Sequence, residues 1–186
     1  MNRFESTDSW SPEEIKAGEQ FFAKVAKTYG AGKYLPGPVF EAFLANKKNV
    51  STEGVFFNVK GEVYLIQRPG RDTNPSEPFP EQWHSPGRMH LGELSNSEMF
   101  SQLLEKELPG ATVEKFLGPF LGEVRDPPRA WVEALITPTL IRGEPTDVRG
   151  RFFRLDEIPS DQLVRSHREI ILPLAIEKAR EAGWFE

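Results

Sequence analysis

The segment GVFFNVKGEVYLIQR, at residues 54–68, constrains the fold more than any other part of this sequence. Apolar and polar residues alternate on both sides of Lys60-Gly61, and a period of two is typical of strands that bury one face. A glycine at the centre favours a tight turn between two antiparallel strands. The segment therefore predicts a β-hairpin, and a sheet forms part of the fold.

The part of the chain before this hairpin predicts helices. Residues Ser11 to Glu14 have the sequence of a capping box with Pro at the first helical position, so a helix is expected from Pro12 to Tyr29. A second, shorter helix is expected over residues 38–46. These residues are too few for a core of their own, so 1–52 are interpreted as a helical extension packed on a domain at 53–186.

A second capping box, Ser95 to Glu98, opens a helix that is expected to end near Leu108. Apolar residues recur along it at helical spacing, which predicts an inward-facing stripe of Phe100, Leu103 and Leu104. Gln102 and Glu105 fall on the other side of the helix and are expected to be exposed.

The rest of the chain alternates strand-like and helical patterns. Strands are expected near residues 113–124, 130–137 and 151–155. Ser166 stands at the start of another capping-box sequence, and the closing helix that follows is expected to be kinked by Pro173. Hairpin, helix, strands and closing helix together predict an α/β sandwich in which helices cover a mixed sheet.

Composition excludes several classes of function. The 186 residues include no Cys, so a disulfide framework, a thiolate nucleophile and a Cys-ligated zinc are excluded. The formal net charge of −5 argues against a nucleic-acid partner, because phosphate backbones are bound by clustered Lys and Arg. No apolar run reaches the ~20 residues that span a bilayer, so no membrane partner and a cytoplasmic location are expected.

The informative motif lies after the hairpin. Gly87 and Glu93 are separated by five residues, and Trp83 precedes Gly87 in a W-x-x-P-G pattern. This segment resembles the Nudix hydrolase superfamily, whose signature is G-x5-E-x7-R-E-U-x-E-E-x-G-U, where U is a bulky aliphatic residue. The closing segment 150–159 also resembles the family, so the likeness spans about residues 53–182. The resemblance implies a Nudix-like α/β/α sandwich.

The second half of the signature matches poorly. Counted from Gly87, the R-E-U-x-E-E positions fall on residues 101–106, of which only the aliphatic position and Glu105 match. In the family, the glutamates of this helix hold a divalent metal, and one often acts as base for the attacking water. Gln102 cannot take up a proton as a carboxylate does, and Lys106 places positive charge where the cation would bind.

A register slipped by one residue places Lys106 and Glu107 on the E-E pair, but it places a leucine on the preceding glutamate. Helix geometry favours the unslipped register, because Glu98, Gln102 and Glu105 then share the face opposite the apolar stripe. Glu107 falls towards that stripe. Neither register restores the complete signature.

The resemblance implies an Mg²⁺ site with Gly87, Glu93 and Glu105 as metal ligands. Glu98 shares the exposed helix face with Glu105 and is a further candidate ligand, since hard cations prefer oxygen. Glu105 and Gln102 are the candidates for the catalytic position. Each glutamate has an ordinary interpretation as well. Glu98 completes a capping box, Glu105 is solvated, and Glu93 braces its loop through a hydrogen bond or an ion pair.

Four further residues are candidates for substrate contacts: Arg68, Trp83, Arg88 and Asp147. The guanidinium fork of Arg68 suits phosphate oxygens, although an Arg at the end of a strand is more often solvated. Asp147 lies upstream of the closing strand, where some Nudix enzymes supply another acidic ligand. An ordinary turn residue is the alternative.

The sequence and the resemblance lead to two expected functions. The first is an Mg²⁺-dependent Nudix hydrolase of a nucleoside diphosphate linked to another moiety, with weak or absent activity because the signature is incomplete. The second is a non-catalytic Nudix-fold module that binds a nucleotide-like ligand or a protein partner. A Nudix-related isomerase of prenyl diphosphates is a further alternative, but its usual Cys is missing. A small-molecule diphosphate is the expected ligand, and the oligomeric state is left open, a homodimer included.

Overall fold

The computed structural model describes residues 11–30, 35–39, 42, 49–75, 77–90, 94–125 and 131–185. The chain divides into two compact units, residues 1–36 with 91–93 and residues 37–90 with 94–186. The division falls upstream of the boundary expected between residues 52 and 53. None of the helices in the described ranges is both long and apolar enough to cross a membrane.

The first unit contains helix α1, Pro12–Gly30, whose start agrees with the predicted capping box. The backbone N–H of Ser11 donates to Oε2 of Glu14 at 2.7 Å, and the backbone N–H of Glu14 donates to Oγ of Ser11 at 3.2 Å. The expected packing of this helix on the second unit stays a prediction. Most of the second predicted helix, residues 38–46, lies outside the described residues.

The second unit is built on a sheet. In the described part of the chain it has eight strands, which are β1 Asn49–Phe57, β2 Val63–Gln67, β3 Trp83–His84, β4 Gly87–Met89, β5 Thr112–Phe116, β6 Phe120–Val124, β7 Val132–Arg142 and β8 Gly150–Phe153. The stretch expected as one strand at 113–124 is divided into β5 and β6. The strands expected at 130–137 and 151–155 are β7 and β8.

Strand β1 lies in the middle of the sheet, between β2 and β7. It runs parallel to β7 along its whole length, from Asn49 opposite Val132 to Phe57 opposite Leu140. It runs antiparallel to β2 and β4. Strands β5 and β6 both pair with β7, while β3 and β8 pair with β2, all of them antiparallel. The mixed sheet expected from the sequence is confirmed.

The predicted hairpin is confirmed, with Phe56 of β1 opposite Tyr64 of β2. Strand β1 begins earlier than the alternating pattern, at Asn49. Residues 49–53 are mostly polar, yet neighbouring strands pair on both sides of them and most are buried. Because most of these residues are buried, the segment lacks the alternation that marks a half-exposed strand.

The hairpin turn is closed by the side chain of Asn58. Its Oδ1 accepts hydrogen bonds from the backbone N–H groups of Lys60 at 2.9 Å and Glu62 at 3.0 Å. Gly61 follows with a φ of +75°, a left-handed conformation that glycine adopts without steric cost. The sequence therefore fixes this turn locally.

Two helices cover the sheet. Helix α2, Asn96–Glu107, begins at the predicted capping box, in which Ser95 and Glu98 bond reciprocally. Helix α3, Leu172–Glu181, follows a π-helical turn at His167–Ile171. The capping box expected at Ser166 does not form, because Ser166 is itself helical, with φ −60° and ψ −36°, and makes no side-chain cap.

The π-helical turn lies directly before Pro173. The backbone N–H of Leu172 donates to the carbonyl of His167, five residues earlier. Proline has no N–H, and its ring crowds the carbonyl four residues before it, so a wider turn at this point accommodates the ring. The structure thus has one wide helical turn directly before Pro173, and the kink expected there stays a prediction.

The two faces of the sheet have separate cores. On one face, Val55 and Phe57 of β1 belong to a buried cluster with Leu172, Ala175 and Ala179 of the α3 segment. On the other face, Phe56 and Tyr64 belong to a cluster with Leu103 of α2. Helix, sheet and helix therefore form the three layers of the expected α/β/α sandwich.

Helix α2 packs largely as its pattern predicts. Leu103 is 2% exposed, and Phe100 and Leu104 are partly buried against the same cluster. Met99, outside the predicted stripe, is also buried, at 1% exposure. Glu105 is exposed, as expected.

Candidate functional site

Gly87, the first residue of the motif, pairs with Glu53 across the β4–β1 ladder. A Cβ atom at position 87 would collide with the carboxyl group of Glu53, so this carboxyl crosses directly over the glycine. Glu53 is only 9% exposed. The motif therefore brings a buried carboxyl group beside Gly87. Sequence reasoning missed Glu53, because its closeness to Gly87 depends on the register of two strands that are distant in sequence.

Arg88 lies on the opposite face of β4, where it meets helix α2. Its Nη1 donates a hydrogen bond to Oε1 of Gln102 at 2.7 Å. Gln102 is half-buried, which corrects the expectation that it is exposed. The proposed substrate contact of Arg88 and the proposed catalytic position of Gln102 are thus in direct contact with each other.

Glu98 acts as the reciprocal partner of its capping box. Its Oε2 accepts from the backbone N–H of Ser95 at 2.8 Å and from the Ser95 hydroxyl at 2.6 Å. These two hydrogen bonds lower the pKa of Glu98, because they stabilise the carboxylate. The capping interpretation of Glu98 therefore has direct structural support. Its proposed role as a metal ligand has no such support.

The described residues do not fit an Mg²⁺ site. They contain no group of three or more His, Asp or Glu side chains placed to hold a metal ion. Glu105 is exposed, and Gln102 is bonded to a cation. Glu93 lies outside the described residues. Mg²⁺ needs several oxygen ligands in a near-octahedral arrangement, and the described residues do not supply such a set.

Arg68 is held by a carboxylate of the protein itself. Its Nε donates to Oε1 of Glu77 at 2.5 Å and its Nη2 donates to Oε2 at 3.1 Å. Glu77 is 3% exposed, and its Oε1 also accepts from the backbone N–H of Phe79 at 3.1 Å. A bidentate contact of this kind occupies the fork that would suit a phosphate.

Trp83 lies in the core. It is 8% exposed, and its ring packs edge-on against Phe153, with 4.9 Å between the ring centroids. The guanidinium of Arg151 lies over the same two rings, 5.0 Å from the centroid of Trp83. The W-x-x-P-G pattern thus anchors the start of β3 to β8.

Asp147 belongs to a polar cluster at the start of β8. Its carboxylate accepts from Nε of Arg149 at 3.1 Å and from Nη2 at 2.6 Å, and these contacts lower the pKa of Asp147. Nη2 of Arg149 also lies 3.7 Å from a carboxylate oxygen of Glu107. Burial raises the pKa of Glu107 despite this cation. The structure therefore pairs Asp147 with Arg149.

Tyr64 is buried against this cluster. Burial, together with the negative charges of Asp147 and Glu107, raises the pKa of Tyr64 to about 12. Its hydroxyl has no hydrogen-bond partner among the described residues. A Cβ atom at Gly150 would collide with this hydroxyl, which explains why the adjacent position carries glycine.

A cleft opens on the α3 side of the sheet, on the face of β1 opposite α2. Its cavity volume is about 50 Å³, and the empty space reaches about 430 Å³ only when the open solvent at its mouth is included. Its polar lining residues are Ser51, Glu53, Arg68, Ser166 and His167, and its apolar lining residues are Phe79, Met89, Val124, Val132, Val164 and Ile171. Apolar walls with a few converging polar groups are typical of small-molecule sites.

His167 is fixed at one wall of this cleft. Its Nδ1 accepts from the backbone N–H of Ser85 at 3.2 Å and lies 2.9 Å from the Ser85 hydroxyl. The acceptor role of Nδ1 places the proton of a neutral ring on Nε2. The ring of His84 lies edge-on to His167, with 5.6 Å between centroids. No sequence spacing indicated this contact, because Ser85 and His167 are far apart in the chain.

The sequence matches no family model and no curated protein. Solved structures with a similar fold include a Nudix hydrolase from Nitrosomonas europaea, 14% identical, with a TM-score of 0.53 over 74% of this chain and 90% of that chain. Another is a MutT Nudix hydrolase from Burkholderia pseudomallei, 19% identical, with a TM-score of 0.51 over 71% of this chain and 98% of that chain. The second unit has the Nudix fold, which confirms the fold expected from the motif.

Proposed function

We propose that this protein is a Nudix-fold module that binds a nucleotide-like small molecule containing a diphosphate, and that it hydrolyses this ligand slowly or not at all. The contact between Arg88 and Gln102 carries the proposal. In the register that helix geometry favours, Gln102 aligns with a glutamate of the family signature, and the guanidinium of Arg88 donates to its amide oxygen.

The charges around this contact are unfavourable for a divalent cation. Arg88 contributes a positive charge beside Gln102, and Lys106 is exposed one turn further along α2. Like charges at short range repel a metal ion, and an amide cannot serve as a general base. Loss of general-base assistance alone typically lowers a rate by ~10²–10⁴-fold.

Ligand binding does not depend on the face of helix α2 that carries Gln102. The cleft on the α3 side of the sheet combines apolar walls with buried polar groups, and Glu53 links it to the motif at Gly87. A site of this composition supports small-molecule binding without a metal ion. The diphosphate part of the proposal comes from the likeness to the Nudix family.

A hydrolase is the second candidate function, and the likeness to two solved Nudix hydrolases favours it. In this alternative, the substrate is a nucleoside diphosphate linked to another moiety. Mg²⁺ would be held by Gly87, Glu93 and Glu105, as the family resemblance implies. The same experiment separates this alternative from the binding module.

The experiment measures binding by calorimetry and product formation by chromatography, with Mg²⁺ and a panel of nucleoside diphosphate conjugates. The variants are wild type, Glu105→Ala, and Gln102→Glu combined with Lys106→Glu. A control variant combines Gln162→Glu with Lys115→Glu. Both positions are exposed, and the net charge changes by the same amount as in the first double variant. We expect wild type to bind at least one conjugate with little or no turnover, and the first double variant to gain Mg²⁺ affinity and turnover.

Vigorous wild-type turnover that is lost in Glu105→Ala would establish the hydrolase instead. Vigorous turnover that survives Glu105→Ala would overturn the roles of both Gln102 and Glu105 on helix α2, since other carboxylates would then carry the chemistry. Absence of binding to every conjugate would overturn the proposed ligand class.

A further inference from the structure

The loop that joins β2 to β3 closes on itself. At its base, the backbone N–H of Arg68 donates to the carbonyl of Gln82 at 2.9 Å. Within the loop, the backbone N–H of Asn74 donates to the carbonyl of Gly70 at 2.9 Å, and that of Glu77 donates to the carbonyl of Asn74 at 2.9 Å. A loop whose ends meet and which bonds internally presents its side chains at fixed positions. The backbone of the loop therefore sets the position of the Glu77 side chain.

Glu77 holds two of the residues that line the cleft, Arg68 and Phe79. Its carboxylate accepts from Nε and Nη2 of Arg68, at 2.5 and 3.1 Å, and from the backbone N–H of Phe79 at 3.1 Å. Nδ2 of Asn74 is a further donor, 3.4 Å from Oε2. These donors surround a carboxylate that is only 3% exposed. Glu77 therefore stays with Arg68 instead of exchanging with solvent.

Arg68 is the residue of the cleft best suited to attract an anion. Among the described residues that line the cleft, it is the one Arg or Lys. A guanidinium fork binds a carboxylate or a phosphate in the same bidentate geometry, and Glu77 occupies that fork. A phosphate that took its place would leave a buried carboxylate without a cation, which is strongly destabilising. The contact with Glu77 is therefore more favourable than a contact with an anion from solution.

A buried ion pair of this kind is a weak source of stability. The cost of removing both charges from water offsets most of their attraction, so an apolar pair of similar size would serve the fold as well. Its effect on the charge of the cleft is larger, since the side chain of Arg68 remains 22% exposed while its charge is balanced. This contrast indicates a role in selecting ligands by their charge.

We propose that Glu77 determines the charge selectivity of the cleft. It masks the guanidinium of Arg68, and the cleft thereby excludes free phosphate and diphosphate groups. Glu77 acts through Arg68 and is a positioning residue. The inference rests on the proposed function in one respect, since the diphosphate of the proposed ligand is then bound without Arg68. Removal of the charge of Glu77 converts the cleft into a site for anions.

The test is calorimetric titration of the full chain with inorganic pyrophosphate, without metal ions. Glu77→Gln keeps the size of the side chain and removes its charge. We expect this variant to bind pyrophosphate roughly 10- to 100-fold more tightly than wild type, the range for hydrogen bonds to a charged group. Addition of Arg68→Gln should abolish the gain. Glu177→Gln, at an exposed position on α3, changes the net charge equally and should bind as wild type does.

A merely structural role of Glu77 predicts a different result. A carboxylate that only shapes the loop would lower the Tm on change to Gln, without any gain in affinity that depends on Arg68. No gain in pyrophosphate affinity in Glu77→Gln, or a gain that survives Arg68→Gln, would overturn the inference.

A measurement on wild type is independent of the folding of any variant. The Nε–H group of Arg68 is held by Oε1 of Glu77, and its NMR signal reports on the fork. This signal should keep its position as pyrophosphate is added to millimolar concentration. A saturable shift of the signal would show that the anion reaches the fork, and it would refute the masking of Arg68.

Failure of this inference is distinct from failure of the proposed function. A wild-type protein that binds nucleoside diphosphate conjugates, and whose Arg68 signal shifts with pyrophosphate, retains the proposed function and loses the inference. A wild-type protein that binds no conjugate, combined with an Arg68-dependent gain in Glu77→Gln, gives the reverse.

Discussion

Nη1 of Arg88 donates a hydrogen bond to Oε1 of Gln102 at 2.7 Å, and this contact joins strand β4 to helix α2. In the register expected from the sequence, Gln102 aligns with a carboxylate position of the Nudix signature, and its amide oxygen accepts this hydrogen bond from the guanidinium of Arg88. Because both residues are half-buried, the contact contributes to the packing of α2 as well as to the charge of the surface.

The first prediction concerns the energy of this contact. Arg88→Ala and Gln102→Ala should each destabilise the fold, and the double variant should cost less than the sum of the two. The expected coupling energy is roughly 0.5–1.5 kcal/mol, as for a partly exposed hydrogen bond. Urea unfolding of the four proteins measures it. Arg88→Ala with Lys115→Ala serves as an additive control, and additivity in the Arg88 and Gln102 cycle would contradict the contact.

The second prediction compares two adjacent leucines of α2. Leu103 is 2% exposed and should lose about 2–5 kcal/mol of unfolding free energy on change to Ala, the range for emptying a packed core site. Leu104 is only partly buried, so Leu104→Ala should be milder. Chemical denaturation of both variants tests the order. The reverse order would mean that α2 is rotated about its axis.

The third prediction concerns Tyr64 and Gly150. Tyr64→Phe removes a buried hydroxyl that has no partner among the described residues, so the unfolding free energy should stay constant or rise. Gly150→Ala should destabilise by about 1–3 kcal/mol, because the new methyl group collides with that hydroxyl. The double variant should recover part of this loss in thermal or urea unfolding. No recovery would show that the methyl group collides with something else.

The fourth prediction is a pH dependence. Burial lowers the pKa of His84 well below its ordinary value, and the nearby Arg68 and His167 add to the shift. The neutral ring therefore contributes stability above the ordinary histidine pKa. That stability is lost as the pH falls towards the folded-state pKa, because the unfolded chain binds the proton first.

As the pH falls from about 7.5 to about 5, the unfolding free energy of His84→Gln should therefore decrease less than that of wild type. The difference in slope is up to about 1.4 kcal/mol per pH unit. Urea unfolding across this range is the measurement. His90→Gln is the comparison and should change the slope less, since burial alone lowers the pKa of His90. Identical slopes for wild type and His84→Gln would refute the assignment.

Local patterns were sufficient to predict the hairpin and the two capped helices, since each depends on residues near one another in the chain. Ser95 and Glu98 bond as expected because a capping box is complete within four positions. Ser166 has the same local sequence, but it is already inside a helical turn, and tertiary packing decides its conformation. The start of β1 was missed for a related reason, since its polar residues are buried only by strand pairing.

The candidate site was less predictable than the fold. The spacing of Gly87 and Glu93 indicated the family, but the contact between Gly87 and Glu53 arises from strand register. Likewise, Glu77 is an ordinary loop residue in the sequence, and only the structure reveals that it holds Arg68. Residues that meet across strands and loops leave no periodic signal in one sequence.

The parallel pairing of β1 with β7 has a consequence for biosynthesis. Residues 49–57 meet their partners only at residues 132–140, so a nascent chain that ends at α2 has formed the hairpin without the strand that completes its centre. Pairing between such distant segments is slow, and incomplete sheets expose apolar surface and strand edges. The centre of the sheet can therefore be completed only after the ribosome has synthesised and released β7.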